Sequence, residues 1–555
     1  MAKWIVCAAW PYLDGKPHLG TFMHLLSADV YSRYLRLMGN EVVSVSGSDI
    51  HGTPIEVEAL RSNTSPRELA EKYHQQMVTL LNAFLVQLDN YTTTESPVHI
   101  KFVRDFYTKL YENGFVYSKK VRQLYCERDA MFLPDRFVEG ICPYCGKEGA
   151  RGDQCDSCGR LLDPLDLRSP RCVICGLGPI VRESEHWFFD LPQLSVELEE
   201  YIRSNKEFPE NARNFSLTWL KEGLKPRTLT RDNRWGIPSP FPGSEGKTIY
   251  VWMEAVLGYL SAVKEFGEKK GDEGIFERFW KDANTRSVYF IGKDNIPFHT
   301  IIFPALLMAS KQNYVLPMQV SSTEFILLEG KKFSKSKGIG VWLEDALRVC
   351  DPEYWRFVLM YFRPESRDSN FSWPEFERCV NSEMNDVLGN FIHRVLTFVK
   401  RFFNTSVPDP GKLDEDSESL LALLEDAWAS YVTHMDSFAL KDAVRDILDI
   451  ARSGNEYVSN REPWEKAKTD VQSAAQTVYV GVQLVYTICL MMYPFLPRSS
   501  IRLWQSLGLN NDLLTVGTGG AGKASIAPGH RILPPSPLFS KVKVDPSLGT
   551  QATHA

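Results

Sequence analysis

From residue 4 to residue 10 the chain reads Trp-Ile-Val-Cys-Ala-Ala-Trp, an unbroken apolar run that predicts a buried strand. Pro11-Tyr12-Leu13-Asp14-Gly15 then forms a turn. Phe22, Leu26, Val30, Tyr34 and Leu37 follow at helical spacing, with Gly39 as a C-terminal stop. Val42, Val43 and Val45 mark a second strand over 41–46, which ends at Gly47-Ser48-Asp49-Ile50-His51-Gly52. Strand, glycine turn, helix and strand make the first unit of an α/β, doubly wound (Rossmann-type) parallel sheet. Ligands in such sheets sit at the carboxyl ends of strands, where His18, Gly20 and Asp49 fall.

The pattern breaks over 116–230 and is expected to resume near Arg231. Phe290-Ile291 reads as a further strand, and Gly292-Lys293-Asp294 at its end is expected to face ligand. From about residue 375 the period is helical. Met384, Leu388, Phe391, Val395, Phe398 and Phe402 recur at 4-3-4-3-4 spacing, the core stripe of an all-α bundle. Val478 to Pro497 carries no charge over 20 positions, long enough to span a bilayer. Its Gln483, Thr487, tyrosines and prolines, and its lateness in the chain, favour a buried bundle helix. After Gly508 the periodicity fades. Gly517 to Gly522 and Pro534-Pro535-Ser536-Pro537 predict a flexible tail over 511–555. The expected division is a first half-sheet over 1–115, an insertion over 116–230, a second half-sheet over 231–325, a connecting region over 326–375 and a helical domain over 376–510.

A net charge of -6 excludes a uniformly basic nucleic-acid-binding surface, so any such partner must meet local patches. The N-terminus runs straight into the first strand with no signal peptide, which predicts a cytoplasmic protein without membrane contact. Seven of the eleven cysteines lie between Cys126 and Cys175, a clustering that points to metal ligation rather than disulfides. Cys142-x2-Cys145 and Cys155-x2-Cys158 form two knuckles suited to a closed tetrahedral thiolate site for structural Zn2+. Cys172-x2-Cys175 is a third knuckle. Its upstream partner, Cys126-x2-Asp129, lacks a second cysteine, so Asp129 either completes a weaker second site or leaves it vacant.

Two elements suggest polyphosphate. Lys331-Lys332-Phe333-Ser334-Lys335-Ser336-Lys337-Gly338 offers four ammonium groups, two hydroxyls and a flexible glycine. His18 stands where a glycine turn opens a helix, whose N-terminus attracts phosphate. There is no Walker loop: Gly246-Lys247-Thr248 would need glycine at 241, where Phe241 stands.

Pro11-Tyr12-x-x-Gly15-x-x-His18-Leu19-Gly20-Thr21 resembles the HIGH motif of class I aminoacyl-tRNA synthetases, and Lys332-Phe333-Ser334-Lys335-Ser336 resembles their KMSKS motif. Between them, Gly47-Ser48-Asp49-x-His51-Gly52-Thr53, Tyr250-Val251-Trp252 and Phe290-Ile291-Gly292-Lys293-Asp294 resemble the methionyl-tRNA synthetase family, of the archaeal and eukaryotic-like type with a zinc-knuckle connective domain. The likeness runs in family order from about residue 3 to about residue 500. It implies a ligase that activates methionine with ATP and Mg2+ and transfers it to the 3' end of tRNA(Met), initiator tRNA included. It assigns His18, Thr21, Lys332 and Lys335 to catalysis, and His18, Gly20, Thr21, Gly292, Asp294 and Lys335 to ATP. Methionine falls to Trp10, Tyr12, Asp49, Trp252, Ala255, Tyr259, His299 and Phe303, and the anticodon to Asn390, Arg394 and Trp464. The 326–375 region becomes the KMSKS loop and stem-contact region. The short insertion leaves no room for an editing domain. The end at 555 leaves none for an added oligonucleotide-binding domain, so a monomer is expected, with any extra tRNA binding supplied by a separate partner.

The sequence also departs from the family pattern. Thr21 replaces a second histidine, Trp10 a leucine, Phe303 a tryptophan, Val256 a proline and Glu254 an aspartate. Trp10 and Phe303 are expected to compensate each other's bulk in a thioether-sized pocket. These departures keep two alternatives open: a synthetase paralogue with another amino acid, and a non-catalytic tRNA-binding relative. A bare zinc-knuckle RNA-binding module explains residues 142–175 and nothing else.

Overall fold

The computed structural model describes residues 2–134, 137–152, 155, 157, 158, 160, 162–333, 338–516 and 521–545. A parallel sheet organises the first 323 residues. Its strands are β1 (Lys3–Ala8), β2 (Glu41–Ser48), β3 (Asn90–Thr93), β4 (Arg286–Gly292) and β5 (Gln319–Thr323), in the order β5-β4-β1-β2-β3. All four pairings are parallel. β1 is the middle strand, which explains its apolar run: Ile5, Val6, Cys7 and Ala8 are wholly buried. Chain order runs outward from β1 on both sides. The boundary between β1 and β4 is therefore the switch point at which such sheets bind ligand.

Helix α1 (Leu19–Leu37) follows β1 and is buried well beyond its predicted stripe, because the helical domain covers its outer side. Asp29 on α1 pairs with Arg33 at 3.0 Å and with Arg356 at 2.6 Å, all inside the core. Arg356 also donates to the carbonyls of Pro494, Phe495 and Phe84. With the Leu85 carbonyl as a fifth acceptor, all five N–H groups of that guanidinium meet an oxygen, which offsets the cost of burying its charge. The pairing fastens the end of the helical domain to α1.

The insertion begins with a long antiparallel ladder, Val116–Cys126 against Ile180–Phe189. Between these strands a small three-stranded sheet (Val138–Ile141, Ala150–Arg151, Arg168–Cys172) carries the cysteine knuckles. After β5, a second small sheet brings Lys331–Lys332 beside Ile326–Leu328, which also pairs with Ser369–Phe371.

The helical domain packs Asn390–Phe402, Glu415–Asp436, Leu440–Arg461 and Val471–Met492 together. Phe391 fits against Gly454, where a Cβ would meet its ring at 2.3 Å. Among the described residues, Val471–Met492 is the one helix long and apolar enough to cross a membrane, and 94% of its most apolar 18-residue window is buried within the fold.

Over 521–545 the structure corrects the flexible tail expected for 511–555. Residues 521–545 pack along the helical domain. Gln483, buried in Val471–Met492, accepts from the N–H groups of Ser525 and Ile526 and donates to the Ile526 carbonyl. Thr487 accepts from Gly522 N. The polar groups of an apolar helix need partners, and this segment supplies them. Further along, Phe539 packs on Gly389, and Val542 exchanges two hydrogen bonds with Asn381. The prolines keep the segment extended without releasing it.

Candidate active site

A cavity of about 320 Å3 opens at the switch point, between the start of α1 and the ends of β4 and β5. His18 caps α1 from an extended backbone. Its Nδ1 accepts from Thr21 N at 3.3 Å, and its Nε2 lies 3.5 Å from Thr21 Oγ1. Gly20 permits this pose, since a Cβ there would stand 3.1 Å from the imidazole. The lysine-rich segment meets the same point from the other side. Phe333 sits edge-on to His18 at 5.2 Å, and the 341–343 backbone bonds to Pro17 and Leu19. Two stretches more than 300 residues apart are thus one wall of one cavity. Lys332 lines it with its ammonium 4.1 Å over the Phe325 ring. Lys335 lies outside the described residues. Gly292 and Asp294 line the cavity at the end of β4, and Asp294 has no hydrogen-bond partner among the described residues. The neighbouring Lys293 turns away into ion pairs with Glu324 and Asp368.

A second cavity of about 240 Å3 adjoins the first and shares Ala9, Trp10, Asp294 and Asn295 with it. Tyr12, Asp49, Trp252, Ala255, Val256, Tyr259, Phe298 and His299 complete its wall. Asp49 at the end of β2 is buried with Oδ1 unpartnered. Burial, and then the nearby Glu254 carboxylate, push its carboxyl well above the usual range. An entering cation would relieve that. Behind it, His51 bridges Glu254 (2.5 Å) and Glu95 (2.8 Å). Burial works against an imidazolium there, but Glu254 and Glu95 override it and raise His51 to about 10. His299 donates from Nδ1 to the Asn295 carbonyl and so accepts the Tyr259 hydroxyl at Nε2, 2.8 Å away. Burial lowers it to about 4, leaving it neutral.

Of the eight predicted pocket residues, seven line this cavity and Phe303 does not. Phe303 stands behind the wall, edge-on to Tyr259 at 5.8 Å and Tyr289 at 5.7 Å. The Trp10 indole slots between two glycines: a Cβ on Gly47 would come within 2.6 Å of it, and one on Gly258 within 2.4 Å. Its bulk is thus accommodated by Gly47 and Gly258, not by a trade with Phe303.

In the insertion, the Sγ atoms of Cys142, Cys145, Cys155 and Cys158 all lie within 4.8 Å of one another, with Cys142–Cys158 at 3.9 Å and Cys145–Cys155 at 3.7 Å. A tetrahedral Zn2+ with bonds near 2.3 Å needs sulfurs about 3.8 Å apart, so the four thiols fit that ion. Cys126, Asp129, Cys172 and Cys175 form a second group of the same compactness. Asp129 Oδ2 lies 3.1 Å from both Cys126 and Cys172. The aspartate takes the place of the missing cysteine.

The family model described as "tRNA synthetases class I (M)" matches residues 4–396, and "Anticodon binding domain of methionyl tRNA ligase" matches 407–552. The chain belongs to the methionyl-tRNA synthetase family. Methionine–tRNA ligases of Korarchaeum cryptofilum and Thermofilum pendens are 51% and 52% identical to it, over 98% and 97% of this chain and 96% and 95% of theirs. That of Ignicoccus hospitalis is 51% identical over 98% of this chain and 96% of its own. A solved structure of Mycobacterium tuberculosis methionyl-tRNA synthetase in complex with methionyl-adenylate has the same fold, with TM-score 0.81 at 23% identity over 97% of this chain and all of that one.

In this methionyl-tRNA synthetase family member the three predicted anticodon residues share one end of the helical domain. Trp464 packs on Phe398 at 6.0 Å, and Arg394 lies over the Trp464 ring at 5.6 Å. Asn390, one turn before Arg394, is exposed. The sequence reading missed His24 and Thr323, which line the switch-point cavity, and the His51–Glu254–Glu95 group behind Asp49. His24 is three residues beyond Thr21 on α1, so helical spacing alone places it on the same face.

Proposed function

We propose that the chain is a methionine–tRNA ligase acting through methionyl-adenylate. The observation that carries this is the joining of two cavities: one floored by the N-terminus of α1, the other presenting an unpartnered buried carboxylate, Asp49, about one small molecule away. In the first step a methionine carboxylate oxygen attacks the α-phosphorus of ATP. The bond from that phosphorus to the bridging oxygen breaks, and pyrophosphate leaves. In the second, the terminal ribose hydroxyl of tRNA(Met) attacks the acyl carbon and AMP leaves. Neither step needs a protein nucleophile, so rate comes from alignment and from charge placed where the transition state is negative. His18 and the α1 N-terminus serve the α-phosphate. Lys332 and Lys335 serve the β- and γ-phosphates of ATP delivered with Mg2+. Asp49 holds the substrate ammonium. Trp10, Tyr12, Trp252, Tyr259 and His299 enclose the thioether side chain, with Phe303 supporting Tyr259 from behind. Asn390, Arg394 and Trp464 read anticodon bases by hydrogen bonding and stacking. Zn2+ on the cysteine groups is structural, since four protein ligands leave no open position.

Methionine-dependent ATP–pyrophosphate exchange, run against all twenty amino acids, tests this. Exchange with methionine far above the rest supports it. Preference for another amino acid establishes the paralogue reading, to which the Trp10 and Phe303 departures point, and absence of exchange with every amino acid establishes the non-catalytic one.

A further inference from the structure

We propose that His24 is an additional ATP-binding residue of this chain, accepting a hydrogen bond at Nδ1 from a ribose hydroxyl of the nucleotide. The inference rests on reading the switch-point cavity as the ATP site. His24 follows Thr21 by one turn of α1 and lines that cavity with His18, Gly20, Thr21, Gly292 and Asp294. Its ring lies against Gly292 at the end of β4, where a Cβ would come within 3.4 Å of Cε1. Its Nε2 meets Thr323 Oγ1, at the end of β5, at 3.1 Å. The imidazole therefore floors the gap between α1 and the two strand ends that flank the switch point.

The neighbours of the ring favour one tautomer. Thr323 Oγ1 has the Ile291 carbonyl at 3.4 Å as an acceptor for its own hydrogen, which leaves its oxygen able to accept from His24. It then accepts from His24, which carries its hydrogen on Nε2. Nδ1 is left as an acceptor with no protein partner among the described residues. Burial, then the Arg363 guanidinium and His18, hold the ring neutral, with its pKa lowered to about 3. A neutral acceptor cannot replace the charge of a second HIGH-motif histidine. It calls instead for a donor, and the nucleoside side of ATP beside Gly292 and Asp294 offers ribose hydroxyls. A site built to receive a hydroxyl rejects the analogue lacking it, because its own polar group is then left unpaired.

The test is a cycle between protein and nucleotide in methionine-dependent pyrophosphate exchange by the full chain. ATP, 2'-deoxy-ATP, 3'-deoxy-ATP and purine riboside triphosphate, which lacks the 6-amino group, are compared for the natural sequence, His24→Phe and His24→Gln. We expect His24→Phe to lower kcat/KM for ATP about tenfold, mainly through KM, and to use one deoxy analogue as well as it uses ATP. His24→Gln, which keeps an acceptor, recovers part of the discrimination. If His24→Phe rejects both deoxy analogues by the same factor as the natural sequence, the proposal is overturned. The same holds if only the analogue lacking the 6-amino group loses its penalty. If His24→Phe does not fold, unaltered discrimination in His24→Gln together with unaltered KM for ATP overturns it. Absence of exchange in the natural sequence instead overturns the ATP-site reading on which the proposal stands.

Discussion

The indole of Trp10 lies so close to Gly258 that a single added methyl would sit 2.4 Å from ring atom Cζ2. Trp10 lines both cavities, so anything that moves it disturbs both at once. Gly258→Ala is expected to overpack the slot at a cost of about 1–3 kcal/mol. Methionine KM should rise about tenfold or more. Trp10→Leu in that background should restore much of the loss. An unchanged methionine KM in Gly258→Ala would show that the ring has room to move.

The same geometry replaces the compensation expected from sequence. Trp10 is coupled to Gly47 and Gly258, whereas Phe303 packs on Tyr259, Tyr289 and Trp280. A double-mutant cycle of Trp10→Leu and Phe303→Trp on methionine affinity should therefore be additive to within about 0.5 kcal/mol. A larger interaction energy would reinstate the trade.

His51 gives a pH signature. Its folded pKa is raised from 6.5 to about 10 by Glu254 and Glu95, acting against burial. A base raised on folding contributes stability that is fully present below the unfolded value and is lost as pH rises through the folded one. Thermal stability should thus decline between roughly pH 6.5 and pH 10, and His51→Gln should flatten that decline while lowering stability at pH 6. Parallel profiles for the two proteins would remove His51 as the cause.

Zinc analysis of the purified chain should find metal that Cys155→Ser reduces by one equivalent. Asp129→Ala should affect only the second group, by weakening its occupancy. The knuckles stand on the small insertion sheet and not at the cavities, so Cys155→Ser should spare pyrophosphate exchange more than tRNA charging. Unchanged metal content in Cys155→Ser would disprove ligation by that knuckle.

Much of this was legible in the residues. The apolar run of β1, the helix after it and the glycine-rich end of β2 carry the parallel sheet in their periods, and the cysteine spacings carry the knuckles. What escaped depends on contacts between distant segments. Helical spacing puts His24 on the face of Thr21, but its contacts with Gly292 and Thr323 come from segments far along the chain. The buried Asp29–Arg356 pair joins residues 327 apart. The segment over 521–545 lacks a period because it is held by donors and acceptors of Gln483, Thr487 and Asn381, and its own sequence does not record that. Lysine runs show the opposite limit: the Lys331–Lys337 segment was legible through its resemblance to the KMSKS motif, and the structure adds that Phe333 meets His18.

The two phosphate-facing elements have different expected signatures. Lys335→Ala should slow adenylate formation by about a hundredfold while leaving methionine binding nearly unchanged, since its charge serves the pyrophosphate side of the transition state. Pre-steady-state quenching gives the adenylation rate, and equilibrium dialysis gives methionine affinity. Equal losses in both would refute that role.

The most direct test of the whole account is methionine-dependent ATP–pyrophosphate exchange with the natural sequence and His18→Ala. The account predicts exchange with methionine well above every other amino acid, falling about a hundredfold in His18→Ala as the α1 N-terminus loses its phosphate partner. Exchange driven better by another amino acid, or an undiminished rate in His18→Ala, would contradict it.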